Sequence, residues 1–314
     1  MTMKSDLCFA SADFDRQALK RSDGNWISNR LGHEDSLFLI YWDNKFLTEV
    51  DSSLKFLDKT EAAQFDKSPI NWSYLGELAE GKSVFATEIF QATEVCTHAS
   101  WKSLRSLGLF MSAEIANLLA LAQGLLIWQS HNNYCSLCAF KLESRQAGHA
   151  LVCSNPDCAK EIFPRTDPAI IVLIYHQDAC LLGRSAIWPE KMYSCLAGFV
   201  ETGESFDGAV RREVFEESGL AVKNIEYRAS QPWPLPQSLM IGFHAEAKSR
   251  ELTFHDGEIH DARWLTRQGL LDALEKGEIL LSSSLSISYH LIEDWFNQLS
   301  DQPLSDLVKK YRHD

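Results

Sequence analysis

Apolar and polar positions run in short alternating blocks along much of this chain and change to a helical period in four places. Ser36 to Trp42 and Val84 to Ile89 read as strands, and Asp43-Asn44 reads as a turn between Trp42 and Lys45. Ala113 to Ser130 is a long apolar-rich helix. After a proline-flanked linker, Phe163-Pro164-Arg165-Thr166-Asp167-Pro168, a buried strand is predicted at Ala169 to Tyr175. A turn at Gln177-Asp178 leads into a second strand, Ala179 to Gly183, and Tyr193 to Ala197 reads as a third. Ser205 to Gly219 follows as a helix, with Gly219 suited to the position just past its end. Ile225 to Ala229, Leu239 to Ala247 and Ala262 to Leu265 read as strands, and Thr266 to Lys276 and Ser286 to Leu299 as closing helices. Mixed strands with helices outside them predict an α/β sandwich (α+β in broad class) for the second half of the chain.

A length of 314 residues implies two domains, with room for a small insert. Hydrophobic residues make up 45% and charged residues 23%, the balance of a globular protein with a sizeable core. The net charge of −13 means the overall field does not draw in polyanions, so nucleic acid is not the obvious primary partner. A small phosphorylated substrate remains compatible, because bound cations reverse the local sign. Met1 to Ala10 lacks the apolar core of a secretory signal, and the last four residues, Tyr-Arg-His-Asp, are no peroxisomal address. Leu118 to Trp128 is too short to span a bilayer. These features make a cytoplasmic location the expectation, with no membrane partner.

Of eight cysteines, four are spaced as Cys135-x2-Cys138, fourteen residues, then Cys153-x4-Cys158. In a reducing compartment two such pairs, separated by the short apolar and glycine-bearing segment Phe140 to Val152, read as a zinc ribbon. A single pair would also suit redox chemistry. Four thiolates fill a tetrahedral shell and leave no open position, so the zinc is expected to be structural. Between Cys135 and Cys158 the cations are Lys141 and Arg145, opposed by Glu143 and Asp157, which gives no basic surface for gripping nucleic acid. Cys8, Cys96, Cys180 and Cys195 have no partner at ligand spacing and are expected to be buried thiols.

The chemistry concentrates between Gly198 and Leu220. Gly198 and Gly203 lie in a loop where backbone can approach a ligand closely. On the helix that follows, Glu213, Glu216 and Glu217 stand at i, i+3 and i+4, so three carboxylates share one face. Like charges at that spacing repel, and a divalent cation relieves the conflict by taking carboxylate oxygens as ligands. Val210 and Val214 hold the opposite face to a core. Most charge runs are simply solvated surface; here the glycines, Glu204 and Arg212 stand fixed around the triplet. Ten residues beyond, Ser230-Gln231-Pro232-Trp233-Pro234-Leu235-Pro236-Gln237-Ser238 carries three prolines at alternate positions, which predict a rigid extended loop and no central strand. Trp233 offers a face for stacking, or plugs the loop into the core; Gln231, Gln237 and Ser238 offer hydrogen-bonding groups. The first 130 residues or so hold no His, Cys or carboxylate cluster at productive spacing, which favours a regulatory or assembly role for them.

Gly198, Glu204, Arg212, Glu213, Val214, Glu216, Glu217, Gly219 and Leu220 fall on the defined positions of the Nudix box, and the chain resembles the Nudix hydrolases. With the Ser-Gln-Pro-Trp-Pro-x-Pro-x-Ser array it resembles their NADH pyrophosphatase branch from about Ala113 to the end. Leu235 stands where Phe is frequent in that branch, and the four-residue gap between Cys153 and Cys158 is longer than in some members. The resemblance implies a Nudix α/β/α sandwich with a mixed sheet over residues 164–314, a zinc ribbon over 131–163 and a β-rich accessory domain over 1–130.

It further implies cleavage of the pyrophosphate of NADH or NAD to AMP and nicotinamide mononucleotide, or of the same bond in NAD-capped RNA, by a homodimer. NAD is then a substrate; the chain has no Gly-x-Gly-x-x-Gly fingerprint for holding it as a cofactor. Magnesium or manganese would be held by Glu213, Glu217 and the Ala197 carbonyl, with Glu216 as a third ligand or as the group orienting water. Glu258, in Asp256-Gly257-Glu258-Ile259, matches a further carboxylate that serves as ligand or general base. Arg212 is expected to buttress a box glutamate. Phe163 and Phe199 match ring-sandwiching positions, and Ser288 one near the substrate; each would also suit a core. The other readings are a Nudix hydrolase of ADP-ribose or a dinucleoside polyphosphate, and an inactive nucleotide-sensing module.

Overall fold

A computed structural model describes residues 7–10, 14–65, 72–90, 100–254 and 257–309. Cys96, Asp256 and the four C-terminal residues named above lie outside them. The chain divides into two compact units, one of Met1–Leu7, Asp167–Pro232 and Ser238–Asp314, the other of Cys8–Thr166 and Trp233–Gln237.

The second of these units contains helix α1 (Gly24–Leu31), strands β1 (Leu37–Trp42) and β2 (Lys45–Thr48), and the short α2 (Lys59–Ala62). Strands β3 (Ser73–Leu78), β4 (Lys82–Glu88) and β5 (Ser100–Lys102) complete a sheet of order β3-β4-β1-β2-β5. The β1–β2 turn places Asp43 and Asn44 at positive φ, as a two-residue hairpin with right-handed twist requires. Phe38, Ile40, Leu47, Tyr74 and Phe85 form the core beneath this sheet. Helix α3 (Leu104–Leu107) precedes α4 (Ala113–His131), which opens on a Ser112 cap accepting the Ile115 N–H and is buried along most of its length. Three short strands follow, β6 (Leu142–Arg145), β7 (Ala150–Cys153) and β8 (Glu161–Ile162), in one small antiparallel sheet. Gln129 of α4 donates to Gly148 O at 2.6 Å and Ser73 Oγ at 2.9 Å, and His149 bonds Tyr74 O at 2.7 Å. These bonds tie the β6–β7 hairpin to β3.

The other unit holds strands β9 (Asp167–His176), β10 (Ala179–Ser185), β11 (Met192–Tyr193) and β12 (Leu196–Phe199), then helix α5 (Phe206–Ser218). After it come β13 (Val222–Trp233), β14 (Ser238–Ala247), β15 (Ile259–Thr266), α6 (Arg267–Glu275), β16 (Leu280–Leu281), α7 (Ile287–Asn297) and α8 (Leu304–Val308). The main sheet runs β13-β14-β9-β10-β15, with β12 beside β9. β14 is parallel to β9 along its length, while β12 and β10 pair antiparallel with its first and second halves. Ile241, Phe243 and Ala245 face the core that receives Val210 and Val214 of α5. The alternate residues Gly242 and His244 meet Leu291 of α7. Strand periodicity thus puts α5 and α7 on opposite faces, an α/β/α sandwich with a mixed sheet.

Two sequence expectations need correction. Tyr193 to Ala197 is not one strand: Met192–Tyr193 pairs with β16, and Leu196–Phe199 pairs with β9. Nor is Ser230 to Ser238 an extended loop. Ser230 to Trp233 end β13 and Ser238 begins β14, leaving Pro234 to Gln237 as the turn. β13 is an edge strand, and an edge tolerates the missing N–H of Pro232. Cys180 and Cys195 are buried as expected, whereas Cys8 is only partly so. Among the described residues no helix is long and apolar enough to cross a membrane.

Candidate active site and metal centre

Strand β12 delivers the chain into the box. Gly198 lies against Glu213 so closely that a Cβ on residue 198 would collide with Cδ and both carboxylate oxygens. The box helix opens on Ser205, whose side chain accepts the Gly208 N–H at 3.1 Å, and ends on Gly219 at φ 72°. Its three glutamates differ in environment. Glu217 is 4% exposed, Glu213 is mostly buried, and Glu216 is half exposed.

Arg212 is the node of this region. Its Nε and Nη2 donate to the two oxygens of Glu204 at 2.9 and 2.8 Å. Nη1 donates to Glu213 Oε1 at 2.8 Å and Glu216 Oε2 at 3.0 Å, and Nη2 also reaches Phe199 O at 2.9 Å. The five N–H groups of one guanidinium are matched by five acceptors. Arg212 holds the Glu204 carboxyl below its ordinary range. Burial pushes Glu213 the other way, against the pull of Arg212, with Glu216 and Glu258 adding repulsion. Part of the like-charge conflict read from the helix is thus relieved by Arg212. The spacing of Arg212 and Glu216 at i, i+4 signals one of these bonds in the sequence; the Glu204 and Phe199 contacts have no periodic signal.

The exposed Glu258 is near enough to act on Glu213 electrostatically. Among the described residues, however, these carboxylates are not drawn into a ligand-spaced cluster. That cluster is formed by Cys135, Cys138, Cys153 and Cys158, whose Sγ atoms all lie within 4.8 Å of one another. The Cys135–Cys158 and Cys138–Cys153 sulfurs are 3.8 and 3.3 Å apart. The Leu137 and Cys138 N–H groups pull the Cys135 thiol down to about 6, while burial and the neighbouring thiols push Cys153 up, so without a cation the four sulfurs do not all ionise together. The four thiols thus present a sulfur shell of metal-binding size.

Of the array, Gln231 is buried and fully engaged at both ends of its amide. Nε2 donates to Leu285 O at 2.7 Å and Oε1 accepts Ile287 N–H at 2.8 Å. Ser288 is likewise buried, its Oγ accepting Cys195 N–H at 3.0 Å and lying 2.7 Å from Ser194 Oγ. Gln231 thus bonds the backbone at the start of α7, and Ser288, in the first turn of α7, bonds the segment leading into β12. Trp233 makes an edge contact with Phe9 at 6.1 Å and lies under the Arg105 guanidinium at 5.8 Å. Gln123 Nε2 donates to Pro234 O at 2.5 Å. Pro232 and Leu235 are half-buried, Pro236 is exposed, and Ser238 sits opposite Asp167 in the β14–β9 ladder. Phe163 and Phe199 are 58% and 60% exposed, so neither is core. Phe163 and Gln237 line one cavity of about 370 Å³ with Trp128, Tyr134, Lys160 and Arg165.

Residues 165–282 match the NUDIX domain, and residues 35–128 match the NADH pyrophosphatase-like rudimentary NUDIX domain. The NAD-capped RNA hydrolase NudC of Mycobacterium bovis (strain BCG / Pasteur 1173P2) is 40% identical over 242 residues, covering 73% of this chain and 77% of that protein. Human NAD-capped RNA hydrolase NUDT12 is 31% identical over 339 aligned residues, covering 91% of this chain and 72% of that protein. A NUDIX hydrolase from Nitrosomonas europaea aligns with a TM-score of 0.41 and 19% identity, over 55% of this chain and 94% of the other. The first part of the chain, whose residues announce no chemistry, is thus matched as a rudimentary copy of the same domain. This chain belongs to the Nudix hydrolase family, in the branch that carries an NADH pyrophosphatase-like domain ahead of the Nudix domain.

Proposed function

We propose that this protein hydrolyses the pyrophosphate bond of NADH and NAD, releasing AMP and nicotinamide mononucleotide, and removes NAD caps from RNA by the same cleavage. The observation that carries the reading is the intact array from Ser230 to Ser238 beside a complete box, in a chain whose relatives NudC and NUDT12 are both NAD-capped RNA hydrolases. The exposed rings of Phe163 and Phe199 each suit stacking on a base or a nicotinamide ring, and Gln237 of the array lines one cavity with Phe163.

Glu213, Glu217, Glu258 and the Ala197 carbonyl would hold magnesium or manganese. The donor set is all oxygen, which suits hard cations, and the bare Gly198 backbone leaves room for Glu213. When bound, such an ion supplies charge neutralisation and an acidified water. The chain does the rest. Glu216 or Glu258 accepts the proton of the attacking water, whose oxygen bonds to one phosphorus while the bridging oxygen leaves with the other phosphate. Arg212 keeps Glu213 and Glu216 in place from behind. The four cysteines would hold zinc: sulfurs at about 2.3 Å from a tetrahedral zinc stand about 3.8 Å apart, close to the spacings observed. A cytoplasmic homodimer built as an accessory domain (1–130), a ribbon (131–163) and a Nudix domain (164–314) completes the reading. Sedimentation tests the dimer.

Incubation with NADH and Mn²⁺, followed by product separation, tests the activity. AMP and reduced nicotinamide mononucleotide in equal amounts are expected. Absence of both, with turnover of ADP-ribose or a dinucleoside polyphosphate, would overturn the substrate assignment.

A further inference from the structure

The first turn of α7 touches strand β13 and the segment that leads into β12. Gln231, on β13, receives the Ile287 N–H and donates to Leu285 O, so it seats the helix start. One residue on, Ser288 is 1% exposed and its Oγ accepts the Cys195 N–H at 3.0 Å. Cys195 occupies a gap in the sheet. Ser194 and Gly183 exchange backbone bonds at 2.9 Å, and the β12 ladder with β9 begins only at Leu196. A buried N–H in such a gap needs an acceptor from elsewhere. The Ser288 hydroxyl supplies it, with its own proton free to turn toward Ser194 Oγ at 2.7 Å.

Ala197 lies two residues beyond Cys195, and Gly198 after it is pressed against Glu213. The segment is therefore fixed from α7 at one end and from α5 at the other. We propose that Ser288 is a positioning residue, which sets the Ala197 carbonyl toward the catalytic cation by holding the Cys195 peptide, and that Gln231 links the array strand to the same carbonyl by seating α7. The proposal rests on the reading that Ala197 and Glu213 hold that cation. A serine that merely packed would lower the melting temperature and leave metal affinity alone.

The test titrates Mn²⁺ alone into the full-length protein, following free Mn²⁺ by electron paramagnetic resonance, with NADH kinetics beside it. Ser288→Ala is expected to bind Mn²⁺ about three- to tenfold more weakly, the equivalent of about one hydrogen bond, with KM for NADH unchanged at saturating Mn²⁺. Ser194→Ala keeps the Ser288–Cys195 bond and is expected to bind like the parent. If Ser288→Ala does not fold, Ser288→Cys, with a weaker acceptor of similar shape, carries the same expectation. Parent-like Mn²⁺ affinity in the folded Ser288 variant, or an equal loss in Ser194→Ala, overturns the positioning role. An unsubstituted protein that hydrolyses NADH without binding Mn²⁺ overturns the metal reading itself, and the proposal with it.

Discussion

Gly198 and Glu213 are in such close contact that residue 198 has no room for a side chain. Glu213 is also held by Arg212 at 2.8 Å, so it cannot swing away without losing that bond. Gly198→Ala is therefore expected to displace the carboxylate while the fold survives. A shift of about 1 Å at a reacting centre costs about 10²-fold in rate, so kcat should fall by about that factor with a melting temperature lowered by only a few degrees. Steady-state kinetics and a thermal melt on the same sample check it; a variant with unchanged kcat would show that Glu213 need not keep this position.

Arg212 sits where a lysine would fail. An ammonium has three donors on a flexible stem and cannot reproduce a planar fork shared among Glu204, Glu213, Glu216 and the Phe199 carbonyl. Arg212→Lys should lose about 2 kcal/mol of stability and lower kcat, with the charge conserved. Chemical denaturation measures the first and NADH turnover the second. Parent-like stability would mean that net charge, not geometry, is what the box needs at 212.

The box was legible because its chemistry is local: 23 consecutive residues carry the glycines, the cap and the glutamates. The roles of Ser288 and Gln231 were not, because their bonds span 93 and 56 positions and no periodicity links such partners. Trp233 and the prolines around it read as a loop since proline forbids a central strand, and only the sheet order shows that β13 is an edge. Tyr193 to Ala197 looked continuous because an apolar run does not reveal that its halves pair with β16 and β9. The cysteine spacing was legible for the same reason as the box, since metal ligands must return in short loops.

His149 gives the acid limb of stability a sign. Burial lowers its pKa from 6.5 to about 4, with Arg21 and Arg16 adding to the effect and the Tyr74 carbonyl opposing it. The folded state thus resists a proton that the unfolded chain accepts. Its contribution is intact above pH 6.5 and is lost as pH falls from 6.5 toward 4, by up to about 3 kcal/mol. Melting temperature should fall over that window, and His149→Asn should be less stable at pH 7 with a flatter profile below it. An equally steep profile in the variant would assign the acid limb to other groups. His244, lowered to about 4 mainly by burial, is the first candidate among them.

Glu217 is the most buried of the three box glutamates, at 4% exposed. Burial of a carboxylate is costly unless something compensates its charge, which a bound cation does. Glu217→Gln keeps the volume and removes the charge. It is expected to melt no lower than the parent without metal, to lose most of its stabilisation by Mn²⁺, and to drop kcat by at least about 10³-fold. Normal turnover in that variant would take Glu217 out of the mechanism.

The four cysteines allow a test that separates scaffold from catalysis. Cys135 and Cys138 precede β6, Cys153 ends β7, and Cys158 lies just ahead of β8, so a metal at their centre closes the small sheet from one end. The same sheet is tied to β3 through the Gln129 and His149 bonds, so loosening it should destabilise the whole unit rather than the ribbon alone. Zinc removal by a chelator is expected to lower the melting temperature by at least about 5 °C, since structural zinc contributes folding free energy directly. Re-addition of Zn²⁺, not Mg²⁺, should restore it, because thiolate sulfurs prefer the softer ion. Metal content must be read on the same sample: an unchanged melt with zinc demonstrably gone would refute a structural role for the cluster.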